Sequence, residues 1–310
     1  MNIFLTGATG FIGSAIAREL LAAGHRVIGL ARNDAARARL MEVGLEAHPG
    51  SLTDLDSLRG GAAAADGVIH TAFIHDFSSY PEAAEADRRA VEAIAQVLAG
   101  TAKAFVATSV TALLPPGHLA TEEDTPDPRT HAAFRLPAER AVLAAAERGV
   151  RTSVVRLPPA VHGPGDHAFV PALIEIARRT GTSAYLEDGE NRWPAVHRLD
   201  AARLFRLALE HAPAGSVLHA VADEGVALSS IAEVIARKLG LAGTTSIARA
   251  NAQEHFGWLA AFMGIDNPTS STRTRAAMNW QPQEPGLLAE LESAIYFPQP
   301  MGCAQSPLSP

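Results

Sequence analysis

A doubly wound α/β fold, with parallel strands between two layers of helices and a smaller, mostly helical second lobe, is predicted by three features of the 310 residues. Short runs rich in Val, Ile, Phe and Leu alternate with amphipathic segments through the first half. Those runs are mostly apolar rather than apolar only at every second residue, as strands covered on both faces are. After about residue 161 the alternation loosens into longer helical patterns separated by loops that carry glycine and proline.

Residues 2–5, 27–31, 68–70, 104–108 and 153–157 read as strands. The helices that cross between them are predicted at 12–23, 35–43, 83–98 and 138–147. Gly163-Pro164-Gly165 and Asp188-Gly189-Glu190-Asn191 mark loops, and helical patterns recur at 169–179, 200–210, 229–239 and 287–295. Asp200 reads as the cap of the second of these. Residues 1–161, with later sheet segments near 193–221, form the expected sheet-centred domain. Residues 162–297 are mainly the second lobe, and 298–310, with four prolines and no period, are a loose tail.

A formal net charge of −7 excludes the basic face on which general nucleic-acid binding rests. The single cysteine, Cys303, excludes an intrachain disulfide and fits a reducing compartment. No stretch is long and apolar enough to span a bilayer, and the first six residues form a strand-like run without a charged leader, so a cytoplasmic location is expected. The twelve histidines do not fall at ligand spacings, and no metal is expected.

Thr6-Gly7-Ala8-Thr9-Gly10-Phe11-Ile12-Gly13 follows the first strand directly and opens the first helix. Gly7 allows a tight turn, Gly10 lets a pyrophosphate approach the backbone, and Gly13 lets the helix pack against the strand. The helix N-terminus then presents amides to the anion. With a strand before it and a helix after it, the motif predicts a Rossmann-type dinucleotide site. The second strand ends Gly29-Leu30-Ala31-Arg32-Asn33. It lacks the carboxylate that would accept a ribose 2′-hydroxyl, and Arg32 could pair with a 2′-phosphate. NADP(H) is favoured, and nearby Asp34 keeps NAD(H) open.

With this turn the chain resembles the short-chain dehydrogenase/reductase superfamily, and more narrowly its extended, epimerase/dehydratase-like branch, over roughly residues 1–282. Gly50-Ser51-Leu52 resembles that branch's Gly-Asp-Leu, and Val68-Ile69-His70-Thr71-Ala72 its fourth strand. Further matches are Arg156, the loop Val161-His162-Gly163-Pro164-Gly165, the run Val196-His197-Arg198-Leu199-Asp200, and Trp280-Gln281-Pro282. The resemblance implies cofactor contacts from Gly7, Thr9, Gly10, Phe11, Ile12, Gly13, Arg32, Ser51, Leu52, Thr71 and Ala72.

The family's chemistry uses a Ser or Thr after the fifth strand and a Tyr-x-x-x-Lys pair on the next helix. Ser109 stands at the matching place for the hydroxyl. None of Tyr80, Tyr185 and Tyr296 begins a Tyr-x-x-x-Lys, and the motif's position holds His131-Ala132-Ala133-Phe134-Arg135. The resemblance therefore implies the atypical subgroup with His-x-x-x-Arg. His131 would exchange the proton, and Arg135 would hold cofactor ribose. Pro137 complicates a continuous helix here. If the helix begins near Arg135 the proline is comfortable, and His131 then lies on the preceding turn.

His75 and Asp76, at the carboxyl edge, are candidates for substrate contact, as are His162 and Trp193. Phe256, Trp258, Phe262 and Met263 read as core, with a lid over an apolar substrate as the alternative. The expected function is hydride transfer between NADP(H) and a small carbonyl or hydroxyl substrate. Epimerase or dehydratase chemistry and a non-catalytic dinucleotide sensor are the alternatives. The segments 83–98 and 138–147 are the expected faces of a homodimer.

Overall fold

The computed structural model describes residues 1–75 and 79–297. Asp76, Cys303 and the expected tail lie outside the described residues. The chain begins β1 (Asn2–Thr6), α1 (Phe11–Ala22), β2 (Arg26–Ala31), α2 (Asp34–Glu42), β3 (Glu46–Pro49), α3 (Leu55–Ala64), β4 (Gly67–His70) and α4 (Tyr80–Leu98). It continues β5 (Ala104–Val110), α5 (Leu136–Ala144), β6 (Arg151–Leu157), β7 (Ala160–His162), α6 (Phe169–Thr180), β8 (Ser183–Leu186), β9 (Arg192–His197) and α7 (Arg198–His211). Then follow β10 (Ser216–His219), β11 (Asp223–Ala227), α8 (Leu228–Leu239) and β12 (Thr244–Ile247).

Seven strands form one parallel sheet in the order β10-β6-β5-β4-β1-β2-β3. The alternation of side chains along each strand divides its two faces. Ile3, Leu5, Val106 and Val155 meet α1, α2 and α7 through Ile16, Leu20, Leu40 and Phe205. Phe4, Phe105 and Val154 meet α3, α4 and α5 through Leu58, Ile94 and Val142. The predicted doubly wound α/β fold is the one observed. Between β1 and β4 the strand order reverses, which opens a crevice at the carboxyl edge.

β3 has no counterpart among the apolar runs. It is a four-residue edge strand, Glu46-Ala47-His48-Pro49, none of it fully buried, and an edge position tolerates the proline. Of the sheet segments expected near 193–221, β10 joins the main sheet. β9 pairs instead with β7 and β11 in a separate three-stranded sheet, and β8 pairs with β12. These small sheets and α6 and α8 enclose a second core around Trp193, Ile174, Ile231, Phe256 and Leu291. Among the described residues no helix is long and apolar enough to cross a membrane.

Asp200 does not cap α7. The cap is His197, whose Nδ1 accepts from the Leu199 amide at 3.3 Å. Asp200 lies one turn further on, fully buried, and accepts from the amides of Gln283 (2.7 Å) and Glu284 (3.1 Å) while pairing with Arg203. The Trp280 indole donates to its backbone carbonyl at 3.0 Å. This residue fastens the C-terminal segment to the sheet domain. Asp200→Ala would leave two part-buried amides without their acceptor and Arg203 with Glu284 as its remaining partner. A loss of about 2–3 kcal/mol is expected, measured by urea unfolding.

Candidate active site

Gly7 adopts φ +75°, a left-handed conformation that a side chain would strain. A Cβ there would also meet Thr71 Oγ1 at 2.7 Å and the Ala72 amide at 2.8 Å. At Gly13 a Cβ would fall 2.0 Å from the Gly7 carbonyl oxygen, so α1 starts in direct contact with the turn. Gly10 precedes α1 and provides no side-chain cap, and both Thr9 and Gly10 are exposed. The first amides of α1, at Phe11 and Ile12, therefore have no capping side chain to accept from them. This is a built anion cradle, and a dinucleotide pyrophosphate fits it.

The neighbouring strand ends line up along the same edge. Thr71 and Ala72 follow β4 and are tied to β1. The Thr71 hydroxyl donates to the Thr6 carbonyl (2.8 Å), and the Ala72 amide to the Thr6 hydroxyl (3.3 Å). Arg32 is exposed just after β2, while Asn33 caps α2 by accepting from the Ala36 amide. Ser51 and Leu52 follow β3, both half-buried.

At the end of β5 the alternation of side chains decides between two adjacent hydroxyls. Ser109 is buried, and its hydroxyl donates to Glu139 of α5. That carboxylate also accepts from Arg156 at 2.6 and 3.2 Å, and Arg156 reaches His219 at 3.3 Å. Thr108, facing the other way, remains partly accessible, with its hydroxyl 3.0 Å from the His70 carbonyl. Ser109 therefore belongs to a structural network that holds α5 on β5 and β6.

Arg135 is 7% exposed and occupies the centre of the edge. Its Nη2 donates to the Thr108 carbonyl at 3.2 Å, its Nε lies 3.5 Å from Asp87 Oδ2, and its guanidinium carbon stacks 4.1 Å from the Phe73 ring centre. Asp87 Oδ1 faces His70 Nε2 at 3.1 Å, and His70 Nδ1 faces the Thr6 hydroxyl at 2.9 Å. A buried chain thus runs from β1 through β4 and α4 to Arg135. Burial pushes the Asp87 carboxyl up, but Arg135 and His70 together outweigh it and hold it below its ordinary value.

His131 is exposed in a turn that precedes a 3-10 turn at Ala133–Arg135, and α5 starts only at Leu136 with Pro137 in its first turn. His131 and Arg135 consequently do not share the face of one regular helix. His75 follows β4 and is exposed. Neighbouring atoms strip water from its ring and lower its pKa, with repulsion from Arg135 and His167 adding to the effect. His167 in turn packs edge-on against Phe11, 5.9 Å between ring centres.

The other two predicted substrate residues point inward, because on β7 and β9 their side chains face the second core. Trp193 is fully buried against Phe169. His162 is fully buried beside His197, 5.5 Å between ring centres, and burial followed by His197 lowers its pKa to about 3. Among the described residues no group of three or more His, Cys, Asp or Glu side chains is placed to hold a metal.

The model of the NAD dependent epimerase/dehydratase family matches residues 3–221. The chain belongs to that family. An uncharacterized protein of Schizosaccharomyces pombe is 50% identical over 299 residues, covering 96% of this chain and all of the relative. A 4-hydroxy-2-methyl-3-oxo-4-farnesyl-3,4-dihydroquinoline-1-oxide ketoreductase of Stigmatella aurantiaca is 29% identical, covering 83% of this chain and 80% of its own. In fold, MoeE5 in complex with UDP-glucose and NAD is similar at TM-score 0.77 and 22% identity, over 95% of this chain and 97% of the other.

For this epimerase/dehydratase-family chain, motif matching missed Thr108 and Asp87. Strand alternation next to the fifth strand's buried run points to Thr108. Asp87 breaks the apolar stripe of Ala83, Ala84, Ala90, Val91 and Ile94 on α4, a signal of a buried charge that needs a partner. Gly13→Ala would force α1 off the turn, since the obstacle is backbone. It is expected to destabilise the fold by roughly 1–3 kcal/mol and to abolish the thermal stabilisation that nicotinamide dinucleotides confer, as read by differential scanning fluorimetry.

Proposed function

We propose that this chain is an NADPH-dependent carbonyl reductase, moving hydride between NADP(H) and a carbonyl or hydroxyl carbon of a small substrate. The observation that carries the reading is that a buried cation, Arg135, donates to the backbone carbonyl of Thr108, a residue whose side chain is partly accessible, on the sheet edge that also bears the glycine turn. A bound dinucleotide supplies the hydride. The chain's own residues hold, orient and polarise.

The amides of Phe11 and Ile12, with Gly7, Thr9, Gly10 and Gly13 around them, would take the pyrophosphate. Ser51, Leu52, Thr71 and Ala72 line the strand ends on either side of that turn. Arg32, exposed where the second strand ends without a carboxylate, would pair with a 2′-phosphate. Arg135 has five N–H donors, enough to hold ribose hydroxyls besides the Thr108 carbonyl. Thr108 takes the place expected of Ser109, and would turn toward the reacting oxygen the proton that its hydroxyl otherwise gives the His70 carbonyl. His75, between Arg135 and His167, would meet the substrate. The Stigmatella aurantiaca relative, by its name a ketoreductase, supports reduction as the net reaction.

The test is net oxidation of NADPH by a panel of ketones and aldehydes, followed by the loss of reduced-nicotinamide absorbance. Epimerase or dehydratase chemistry on one substrate leaves the added dinucleotide unchanged, and a sensor binds it without turnover. Arg32→Ala is expected to weaken NADPH binding on the order of tenfold while sparing NADH, since only one of them carries the 2′-phosphate. Equal weakening of both would remove Arg32 from that role.

A further inference from the structure

The family's usual phenol is missing from the helix after the fifth strand, yet a phenol stands beside Arg135. Tyr80 begins α4, immediately beyond the loop that follows β4. Its hydroxyl feels the Arg135 charge, and the two side chains meet around one ring, that of Phe73. Its ring packs against Phe73 at 5.7 Å and against Phe134 at 6.1 Å between centres, while Phe73 also carries the guanidinium on its face. The ring is thus fixed by aromatic neighbours from two other segments, beside a cation that reaches the backbone of Thr108.

We propose that Tyr80 is the proton donor of the reduction, with Arg135 as the cation that stabilises its phenolate. The inference rests on the reductase reading above. It places side by side, from two separate elements, a phenol and a cation that would stabilise the phenolate left after proton transfer.

The carbonyl carbon gains a hydride with its electron pair from the reduced dinucleotide, which leaves oxidised. The carbonyl oxygen takes the proton of Tyr80 Oη, giving the alcohol, and the phenolate recovers a proton from water. Among the described residues two charged groups act on the phenol, Arg135 from the turn before α5 and Asp87 from α4 itself. Burial raises the Tyr80 pKa, Arg135 opposes that rise and Asp87 adds to it. The phenol is therefore protonated at neutral pH, the form a donor needs. His131, by contrast, lies exposed on the turn before Arg135.

The experiment compares Tyr80→Phe and His131→Gln with the wild-type chain in turnover and in NADPH affinity. Tyr80→Phe keeps the ring packing and removes only the hydroxyl. A loss of kcat of about a hundredfold or more is expected, the scale of general acid catalysis, with NADPH affinity within about threefold (on the order of 0.65 kcal/mol). A smaller loss, or a larger loss in His131→Gln than in Tyr80→Phe, overturns the proposal.

A second readout does not depend on turnover. With three tyrosines in the chain, ring-carbon NMR resolves Tyr80 by its disappearance in Tyr80→Phe, and its Cζ signal is expected to shift when NADP+ is added. An unmoved Tyr80 signal in protein that binds NADP+ also overturns the assignment. Wild-type protein that binds NADPH and shifts Tyr80 but reduces no carbonyl counts against the reductase reading, and the donor role falls with it.

Discussion

The helix α1 can begin where β1 ends only because two residues there have no side chain. The Gly7 carbonyl occupies the space that a Cβ on Gly13 would need, and the end of β4 occupies the space that one on Gly7 would need. Three elements meet at van der Waals distance around one turn. That contact sets the depth of the crevice between β1 and β4, and it aims the uncapped amides of α1 along the sheet edge. Strand ends further along the edge contribute chemistry to the same line only because the parallel register carries them to the same height.

Two buried polar systems share this edge without mixing. One runs Ser109, Glu139, Arg156 and His219, fastening α5 and β6 beneath the floor. The other runs Thr6, His70, Asp87 and Arg135 and ends facing the crevice. Adjacent residues of one strand, Thr108 and Ser109, take part in opposite systems because a strand turns successive side chains to opposite faces. A motif that asks for a hydroxyl at the end of the fifth strand cannot tell them apart. The direction of the pleat does.

The sequence showed clearly whatever depended on local covalent constraint. The glycine turn is legible because spaced glycines between a strand and a helix have few other uses. Most apolar runs are legible because a doubly covered strand must be apolar. What it concealed depends on long-range pairing. The edge strand Glu46–Pro49 carries no apolar signal because one of its sides has no neighbour. His162 and Trp193 face the second core because β7 pairs with β9, a partnership no local pattern states. The break in regular helix before Leu136, however, was readable from Pro137, and it separates His131 from the face that Arg135 occupies.

An arginine buried at the sheet edge, where a lysine could have stood, changes what the rest of the site must supply. A buried lysine can lose its proton when no counterion is at hand, whereas a guanidinium stays charged. Arg135 at this depth therefore requires a fixed anion, and Asp87 is that anion. Asp87 is itself buried on the apolar stripe of α4, so it needs His70, and His70 needs the Thr6 hydroxyl at the mouth of the glycine turn. The arginine on the turn before α5 is thereby coupled to the first strand of the sheet. The same residue that begins the cofactor turn also terminates the chain of hydrogen bonds that makes the cation tolerable.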